Sequence, residues 1–416
     1  MTQSPLPATL ESVRRLAVTK QHLQGKLPVK ATTGAMLSLV RDLAYVQWDP
    51  VEIVAPSHVL SLWSRVGDFP ISDLDRLLWT EKKLIEHWTP IASLVLTEDY
   101  PLFESLMRRY PGSLSASWGS QRARAAKFLA DHVDLRKRIL TALRAGPLRL
   151  GEFEDHLRTR RDDGEWTPSS DVSQMLFHLQ MSGRVMVVGH AGNQNVWGLV
   201  DDFLPDWTDR NPLSEEAAAQ VAAERAIRAL GTATPAEINH YFVRGRYQAI
   251  GRTLAQLEAA STIRRVHVEE LGVRDERYVH EQDIRLLGST EGKSWEPRLS
   301  LLPPFDNMLY DQARTNRLFG FDYVREQFLP QANRKFGTYV LPILWGDRLI
   351  GRIDPRLDRK SRTLVINAVH AEPGAPAGRE VADEIARAIG RLAVFVGATG
   401  VSYTSKVPAA WERWLH

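Results

Sequence analysis

The sequence of 416 residues contains no cysteine. This absence excludes disulfides, cysteine nucleophiles and thiolate metal sites, and it is compatible with a reducing cytoplasm. No apolar run approaches the length of a membrane span, and the first residues lack the basic and apolar segments of a secretion signal. Zinc-protease motifs, a Walker loop and convincing histidine–carboxylate spacings are also missing, so we predict no metal and no cofactor.

A large excess of one charge is missing as well, since the formal net charge is only +3. The charge distribution is nevertheless uneven: residues 121–161 hold 11 Lys and Arg against 5 Asp and Glu, and residues 310–360 hold 10 against 6. Local basic surface of this kind can serve a polyanionic partner. Solvated helix faces and strand edges would give the same counts, so charge alone leaves both interpretations open.

A polar pair lies in the stretch Tyr45–Val51, where Gln47 and Asp49 flank Trp48. Pro50 disfavours the helical region for Asp49 and therefore favours an extended backbone. Side chains two residues apart share one face of an extended stretch, so Gln47 and Asp49 would face one way and Trp48 the other. A helix N-cap is the alternative for Asp49, because Asp is favoured at that position and Pro directly after it.

The chain after residue 120 repeats one order of elements. Residues 121–207 contain three helical patterns and then two strands around a Gly-Asn turn, an order typical of a winged helix-turn-helix domain. The same order recurs in residues 208–292, where Thr234 and Glu237 have the spacing of a capping box. For residues 1–120 we predict a third, more elaborated winged-helix-like domain that carries the Gln-Trp-Asp motif.

Short apolar runs separated by turns dominate residues 293–405, and a helix over Arg379–Val394 closes this region. We expect the region to form a small antiparallel β-barrel or a curled sheet, followed by a tail at residues 406–416. The predicted fold class is therefore α+β, with tandem winged helix-turn-helix domains before the barrel. The predicted strands are Leu299–Pro304, Phe321–Val324, Gly337–Leu344, Arg348–Asp354 and Arg362–His370.

Three stretches make the chain similar to a known family. The first is Val46–Pro50 with Pro56–His58 and Leu62–Arg65 behind it; the second is Glu86–Trp88 with Ala92–Leu94; the third, which is the most specific, holds Pro304–Asn307, Asp311, Arg314, Arg317–Phe319, Phe321–Tyr323 and Gly346–Asp354. Over nearly its full length the chain resembles the bacterial winged-helix alkyl-DNA glycosylases. These AlkZ/YcaQ-like proteins unhook DNA interstrand crosslinks and remove alkylated purines.

The resemblance implies which residues act. The catalytic element of that family is a glutamine, an apolar residue and then a glutamine or an aspartate, so Gln47 and Asp49 are implied to be the catalytic residues of the Gln-x-Asp branch. This branch is implied to accept a broader range of alkylated and crosslinked purines than the Gln-x-Gln branch. Relatives often carry a histidine where this chain has Thr89-Pro90, so its activity would be weaker or altered if that histidine contributes. The candidates for contact with the lesion are Trp48, His58 and His87, with a core tryptophan and a satisfied helix histidine as the alternatives for Trp48 and His58.

The chemistry of N-glycosidic hydrolysis suits the implied pair. Cleavage passes through an oxocarbenium-like state that a nearby carboxylate stabilises, and a carboxylate can also orient the attacking water. Asp49 suits both roles, and the amide of Gln47 can hold the same water. An N7-alkylated guanine is already cationic and leaves readily, so no strong general acid is required. Base flipping stays an open alternative, because an intact crosslink makes flipping difficult.

We expect the partner to be double-stranded DNA that carries alkylated or crosslinked purines, bound by a cytoplasmic, nucleoid-associated monomer without membrane contact. Solvent exposure without a ligand is the alternative for each basic residue. A non-enzymatic winged-helix DNA-binding regulator or resistance protein is the alternative function. The predicted DNA-binding residues are Arg65, Arg244, Arg246, Arg314, Arg317, Arg334, Lys335 and Arg352.

Overall fold

The computed structural model describes residues 4–89, 91–115, 118–157, 169–242, 249–290, 295–404 and 407–415. In these ranges no helix is both long and apolar enough to cross a membrane. The helices are α1 (Leu10–Lys20), α2 (Thr33–Leu43), α3 (Ser57–Val66), α4 (Ile71–Asp75), α5 (Tyr100–Met107), α6 (Gly119–Asp131), α7 (Val133–Leu143), α8 (Leu150–Leu157), α9 (Ser169–Met181), α10 (Val200–Phe203), α11 (Glu215–Leu230), α12 (Pro235–His240), α13 (Ile250–Ala259), α14 (Ile284–Ser289), α15 (Gln312–Phe319) and α16 (Arg379–Phe395).

The chain divides into two compact units. The first comprises Met1–Ile71, Glu224–Ile238 and Ala255–His416, and the second comprises Ser72–Ala223 and Asn239–Leu254. The strands are β1 (Leu6–Ala8), β2 (Val46–Gln47), β3 (Leu84–Trp88), β4 (Ala92–Leu96), β5 (Leu148–Arg149), β6 (Val185–Ala191), β7 (Gln194–Leu199), β8 (Thr232–Ala233), β9 (Ile263–Val268), β10 (Arg277–His280), β11 (Leu299–Leu301), β12 (Leu341–Trp345), β13 (Arg348–Asp358), β14 (Thr363–Ala371) and β15 (Gly400–Tyr403).

Helix α1 organises the core of the first unit. Thr9 caps it, because the Thr9 Oγ1 accepts a hydrogen bond of 3.1 Å from the Ser12 N–H. The buried side chains of Val13 and Leu16 pack on a four-stranded sheet of order β1-β9-β10-β8, in which β1 runs parallel to β9. Val18, from the same helix, belongs to a second core cluster, which it shares with strands β12 and β13. One helix thus joins two sheets.

Strands β11 to β15 form a five-stranded sheet in chain order. Neighbours are antiparallel except β14 and β15, which run parallel. The register shifts between Ile343 and Leu344 and between Asp354 and Pro355, and such bulges bend a strand and accommodate a proline. Because β11 and β15 are its two edges, the sheet is an open, curled half-barrel. Of the two expectations, a small barrel or a curled sheet, the curled sheet is confirmed; the departure from antiparallel pairing is at β15, which runs parallel to β14.

Two of the predicted strands also differ from the structure. Phe321–Val324 is a loop, and its apolar character arises because Phe321 and Tyr323 fill the half-barrel core from outside the sheet. The Tyr323 hydroxyl donates to the Val340 carbonyl over 2.9 Å, which fixes this loop without strand pairing. Strand β12 begins at Leu341, four residues later than predicted, and β15 was not predicted. The closing helix, α16, is confirmed.

The second unit contains a hairpin and a helical cluster. Strands β3 and β4 pair antiparallel, with Leu84 opposite Leu96 and Trp88 opposite Ala92. Helices α7, α8 and α9 enclose a core that includes Ile139, and they are followed by the β6–β7 hairpin, to which the short strand β5 adds. The three helices and hairpin predicted for residues 121–207 are therefore present, with β5 as an additional element.

Residues 208–292 also contain the predicted helices and hairpin, as α11, α12, α13, β9 and β10. The capping box at the start of α12 is confirmed. The Thr234 N–H donates to the Glu237 carboxylate over 3.1 Å, and the Glu237 N–H donates to the Thr234 hydroxyl over 3.3 Å. This segment contributes to both compact units, so its description as one domain stays a prediction.

Candidate active site

Asp49 is a buried carboxylate just beyond a very short strand. Val46 and Gln47 form β2, in which Gln47 is half-buried, and only 8% of the surface of Asp49 is exposed. The Asp49 Oδ1 accepts a hydrogen bond of 2.8 Å from the Val51 N–H. Burial raises the pKa of Asp49 above the usual aspartate value, and the hydrogen bond from Val51 opposes this rise only in part. The carboxyl is therefore a stronger base than an exposed aspartate.

The side chain of Asp49 closes a local turn and does not cap a helix. Helix α3 begins at Ser57, well beyond Pro50, so the N-cap alternative is wrong. Bonding from an aspartate to the backbone two residues on is a common turn device. Among the described residues, no second hydrogen bond and no cation at ion-pair distance reaches this carboxylate. Its Oδ2 is thus available to a water molecule or a substrate.

The first turn of α3 holds the backbone of Asp49. The Ser57 N–H donates to the Asp49 carbonyl over 3.3 Å. The Nδ1 of His58 lies 3.2 Å from the same carbonyl oxygen and 3.4 Å from the Asp49 nitrogen, and the tautomer decides which contact is the hydrogen bond. The ring of Trp48 stacks on His58 with centroids 3.9 Å apart. With 4% of its surface exposed, His58 is placed to position Asp49.

Two groups from the half-barrel region, one side chain and one backbone N–H, contact the loop after β2 and the start of α3. The Tyr339 hydroxyl donates to the Ala55 carbonyl over 3.2 Å, and the Ser57 hydroxyl accepts from the Phe305 N–H over 3.3 Å. The pKa of Tyr339 is raised, mainly by burial and then by the negative charge of Asp49. Tyr339 is therefore close enough to Asp49 to feel its charge. Sequence reasoning missed this tyrosine, because its partner lies 284 residues away and no local pattern marks it.

Arg65 is buried beneath this loop and does not face solvent. Its guanidinium makes two hydrogen bonds of 2.6 and 2.7 Å to the Asp306 carboxylate, and its Nε donates to the Gln21 carbonyl over 2.8 Å. Both paired side chains are completely inaccessible. The expectation that Arg65 contacts DNA is corrected by this position, since a phosphate cannot reach the guanidinium. Arg65 instead ties α3 to the turn that carries Phe305.

Arg314 is buried in a second ion-pair network. It donates to the Glu237 carboxylate over 2.6 Å and to the carbonyls of Thr232 and Leu230. Arg277, also fully buried, donates to the same carboxylate over 3.2 Å. Burial alone would raise the pKa of Glu237, but the two guanidinium groups outweigh it and lower the pKa. Arg314 is structural in this position, which corrects the prediction that it binds DNA.

Arg352 is enclosed as well. Its guanidinium lies between two aromatic rings, 4.2 Å from the Phe321 centroid and 4.0 Å from the Phe336 centroid. It also donates to the Glu372 carboxylate over 2.9 Å, and only 3% of its side chain is exposed. Cation–π contacts and a carboxylate partner together satisfy this group. The prediction that Arg352 contacts a DNA phosphate is therefore corrected as well.

The other predicted cations have accessible positions or are not described. The side chain of Arg317 is 49% exposed, although it pairs with Asp275 over 3.0 Å. Arg334 is half-buried and Lys335 is exposed. Arg244 and Arg246 lie outside the described residues. Five of the eight predicted DNA-binding residues therefore remain candidates: Arg317, Arg334, Lys335, Arg244 and Arg246.

His87 and Thr89 belong to the second unit. His87 is buried in β3 and its ring lies 4.4 Å from the ring of Phe103. The Thr89 hydroxyl donates to the Phe242 carbonyl over 2.6 Å, so the residue that replaces the expected histidine is used structurally. Pro90 lies outside the described residues. In the described part of the chain, no group of His, Asp and Glu residues has the arrangement of a metal site.

Two comparisons with known proteins bear on this site. A family model described as DNA glycosylase AlkZ-like matches residues 40–395, which include Gln47 and Asp49. A solved structure, the Streptomyces sahachiroi DNA glycosylase AlkZ, is similar with a TM-score of 0.68 at 16% sequence identity, over 97% of this chain and 100% of that one. At this identity the structural likeness establishes a shared α+β fold.

Proposed function

Because the chain belongs to the AlkZ-like DNA glycosylase family, we propose that it hydrolyses the N-glycosidic bond of N7-alkylguanine-type purines and unhooks DNA interstrand crosslinks. Family membership makes the chain a DNA glycosylase, and the class of lesion is the proposal. The observation that carries it is the Asp49 carboxylate, which is buried, unpaired by any cation among the described residues, and bonded through one oxygen only.

The proposed reaction uses Asp49 to activate water. The bond between C1′ and N9 breaks, and its electron pair leaves with the purine, which is neutralised because it was cationic. The water oxygen bonds to C1′ and its proton passes to the Asp49 carboxylate, so the products are the free base and an abasic sugar. Burial supports this role, since a base works best when its pKa approaches the working pH.

Two further features fit a cationic substrate. A buried negative charge without a cationic partner lowers the energy of the oxocarbenium-like transition state, because the low local dielectric strengthens their attraction. The amide of Gln47 is half-buried two residues before Asp49, and we assign it to hold the attacking water. The alkylated purine needs no proton to leave, so one carboxylate is sufficient.

Duplex DNA is the proposed partner of both units. The order of helices and hairpin in residues 121–207 supports a winged-helix interpretation, and the same order in residues 208–292 supports a second copy. Three of the predicted DNA-binding arginines are buried, so we assign contact with the DNA phosphates to the other predicted cations. Those cations are Arg317, Arg334 and Lys335. Arg244 and Arg246, which lie outside the described residues, stay in the proposed set on the sequence alone.

A base-release assay tests the proposal. Wild-type protein and Asp49→Asn are compared on duplexes that contain N7-methylguanine or a nitrogen-mustard crosslink, and DNA affinity is measured in parallel by fluorescence anisotropy. Asp49→Asn is expected to lower release by about 10²–10⁴-fold while affinity is kept. Unchanged release by the variant would sink the site assignment. A wild-type protein that releases neither lesion would sink the substrate class.

A further inference from the structure

A cleft of about 520 Å³ lies beside α16 in the first unit. Residues 25–29 form one wall, Arg298 and Trp345 form another at the ends of β11 and β12, and α16 contributes Glu384 and Arg391. This volume is in the range of small-molecule sites. The described lining includes none of the residues of the candidate active site, and the base-release reaction does not use it.

The wall at residues 25–29 is fixed from both sides. The Gly25 N–H donates to the Glu296 carbonyl over 2.9 Å. At the other end, Pro28 lies directly against Gly67, where an added Cβ would be 2.1 Å from the Pro28 carbonyl oxygen and where φ is +83°. Only glycine permits this approach and this backbone conformation. Contacts within the protein thus set the shape of this wall.

Among the described residues, two guanidinium groups in the cleft have no carboxylate partner. Arg391 makes no hydrogen bond or ion pair with any described residue, and its Nε atom is buried. Arg298 donates only to neutral oxygens: the His22 carbonyl at 2.6 Å, the Ser64 carbonyl at 3.1 Å and the Ser300 hydroxyl at 3.2 Å. A buried donor on a charged group is costly to leave unsatisfied, so the guanidinium of Arg391 is incompletely satisfied, whereas that of Arg298 is bonded but not neutralised.

The acidic residues of the lining do not neutralise these cations. Asp68 accepts a hydrogen bond of 2.8 Å from the Trp63 indole N–H. Glu384 pairs over 2.6 Å with Arg387, which lies one turn further along α16. The exposed side chain of Lys26 adds a third positive charge at the rim. The cleft therefore offers positive charge that other protein groups have not taken up.

Burial is the largest of three causes that together lower the pKa of Arg298 to about 10; the others are repulsion from Arg65 and then from Arg391. The guanidinium of Arg298 is still charged at neutral pH, and burial together with the neighbouring arginines makes that charge energetically unfavourable. A bound anion would offset both the desolvation and the repulsion between the two arginines.

We propose that this cleft binds a phosphate group between Arg298 and Arg391. Phosphate suits these donors, since its oxygens can accept charged hydrogen bonds from the Arg391 guanidinium and from the Nη1 of Arg298, whose Nε and Nη2 already donate within the protein. The group can belong to the DNA backbone or to a free phosphate or nucleotide. Both sources share the same contacts, and Trp345 provides an aromatic wall beside them.

Isothermal titration calorimetry of the full-length protein with inorganic phosphate tests the site. Arg391→Gln is expected to weaken binding by about tenfold or more, because a charged hydrogen bond is lost. Arg391→Lys should recover part of the affinity through its charge. The matched control is Arg379→Gln, on the same helix and 77% exposed, where affinity should be unchanged. No lesion is present, so this result does not depend on base release.

The salt dependence of duplex binding separates the two sources. If the phosphate belongs to DNA, Arg391→Gln should reduce the slope of log K against log salt by about 0.9, with no change in Arg379→Gln. If phosphate binding weakens and the slope stays constant, the ligand is a free phosphate or a nucleotide. If Arg391→Gln changes neither the phosphate affinity nor the slope, the proposal is overturned. Circular dichroism spectra establish that the variants are folded.

Discussion

The ring of Trp48 stacks on the ring of His58 at a centroid distance of 3.9 Å and an interplanar angle of 17°. The same imidazole reaches the Asp49 backbone through Nδ1. The residue between Gln47 and Asp49 is thereby fixed by the helix that follows the motif. Through His58, the aromatic residue of the motif is thus linked to the backbone of Asp49.

We predict that His58 positions Asp49. His58→Phe keeps an aromatic ring against Trp48 and removes the nitrogen, whereas His58→Ala removes both contacts. Because small displacements of a catalytic group are costly, we expect His58→Ala to lower base release by about 10–100-fold and His58→Phe to have a smaller effect. Single-turnover release from N7-methylguanine DNA measures both. Equal, wild-type rates in the two variants would exclude a positioning role.

Base release should depend on pH through Asp49. The carboxylate acts when it is deprotonated, so the rate falls as the pH drops through its pKa. Since burial raises that pKa, the midpoint of the fall should lie above 3.8, the ordinary aspartate value. Rates between pH 4 and 8, corrected for spontaneous depurination, give the profile. The residual rate of Asp49→Asn should lack this step, and a wild-type profile without it would contradict the assignment.

Asp49→Asn should not destabilise the protein. Burial makes the charged form of Asp49 unfavourable in the folded state, and that cost disappears in the amide. The asparagine oxygen can still accept the hydrogen bond from Val51. Equal or higher Tm at pH 7 is therefore expected, and a Tm several degrees lower would mean that the loss of activity reports unfolding.

The buried pair of Arg65 and Asp306 should contribute strongly to stability. Arg65→Met leaves the Asp306 carboxylate without its partner in a site closed to water, which costs about 3–5 kcal/mol and lowers Tm by roughly 10 °C. The control is Arg379→Met, whose exposed pair with Asp383 should contribute less than about 1 kcal/mol. Thermal unfolding followed by circular dichroism compares them. Similar shifts in both variants would count against the assignment of Arg65 as a structural residue.

Gly337 should not tolerate a side chain. An added Cβ would lie 2.2 Å from the Asp354 carboxyl carbon, and φ is +143°. The Asp354 Oδ1 accepts the N–H groups of Thr338 and Tyr339, so Gly337→Ala should disturb Tyr339 and the loop it holds. Gly378→Ala is the control, since its φ is +121° with open space around it. Both variants lose about 1–3 kcal/mol for the backbone, and only Gly337→Ala should also lower base release.

Features that depend on neighbours in the sequence could be predicted. The capping box of Thr234 and Glu237 and the helix α16 follow from local spacing and are present. Strands β13 and β14 were predicted because their apolar runs are separated by a polar turn. The Gln-x-Asp motif was found through resemblance, because its residue types alone were equally consistent with a helix cap.

Partners that are distant in the chain could not be predicted. A sequence gives the charge of Arg65 and Arg314, but not that Asp306 and Glu237 neutralise them, at separations of 241 and 77 residues. Both arginines were therefore predicted to face DNA. The loop at Phe321 was mistaken for a strand for a similar reason, since burial in a core gives a loop the same apolar character as a strand.

The separation of Arg65 and Asp306 also has a consequence for synthesis on the ribosome. The chain grows at about 5–20 residues per second, so the 241 residues from Arg65 to Asp306 take roughly 10–50 s to be added. During that interval Arg65 lacks the carboxylate that pairs with it, and the loop between β2 and α3 lacks its contact with Tyr339. The first unit can close only after most of the chain has been made, so a nascent chain that stalls before residue 306 should be open to proteases and should depend on chaperones.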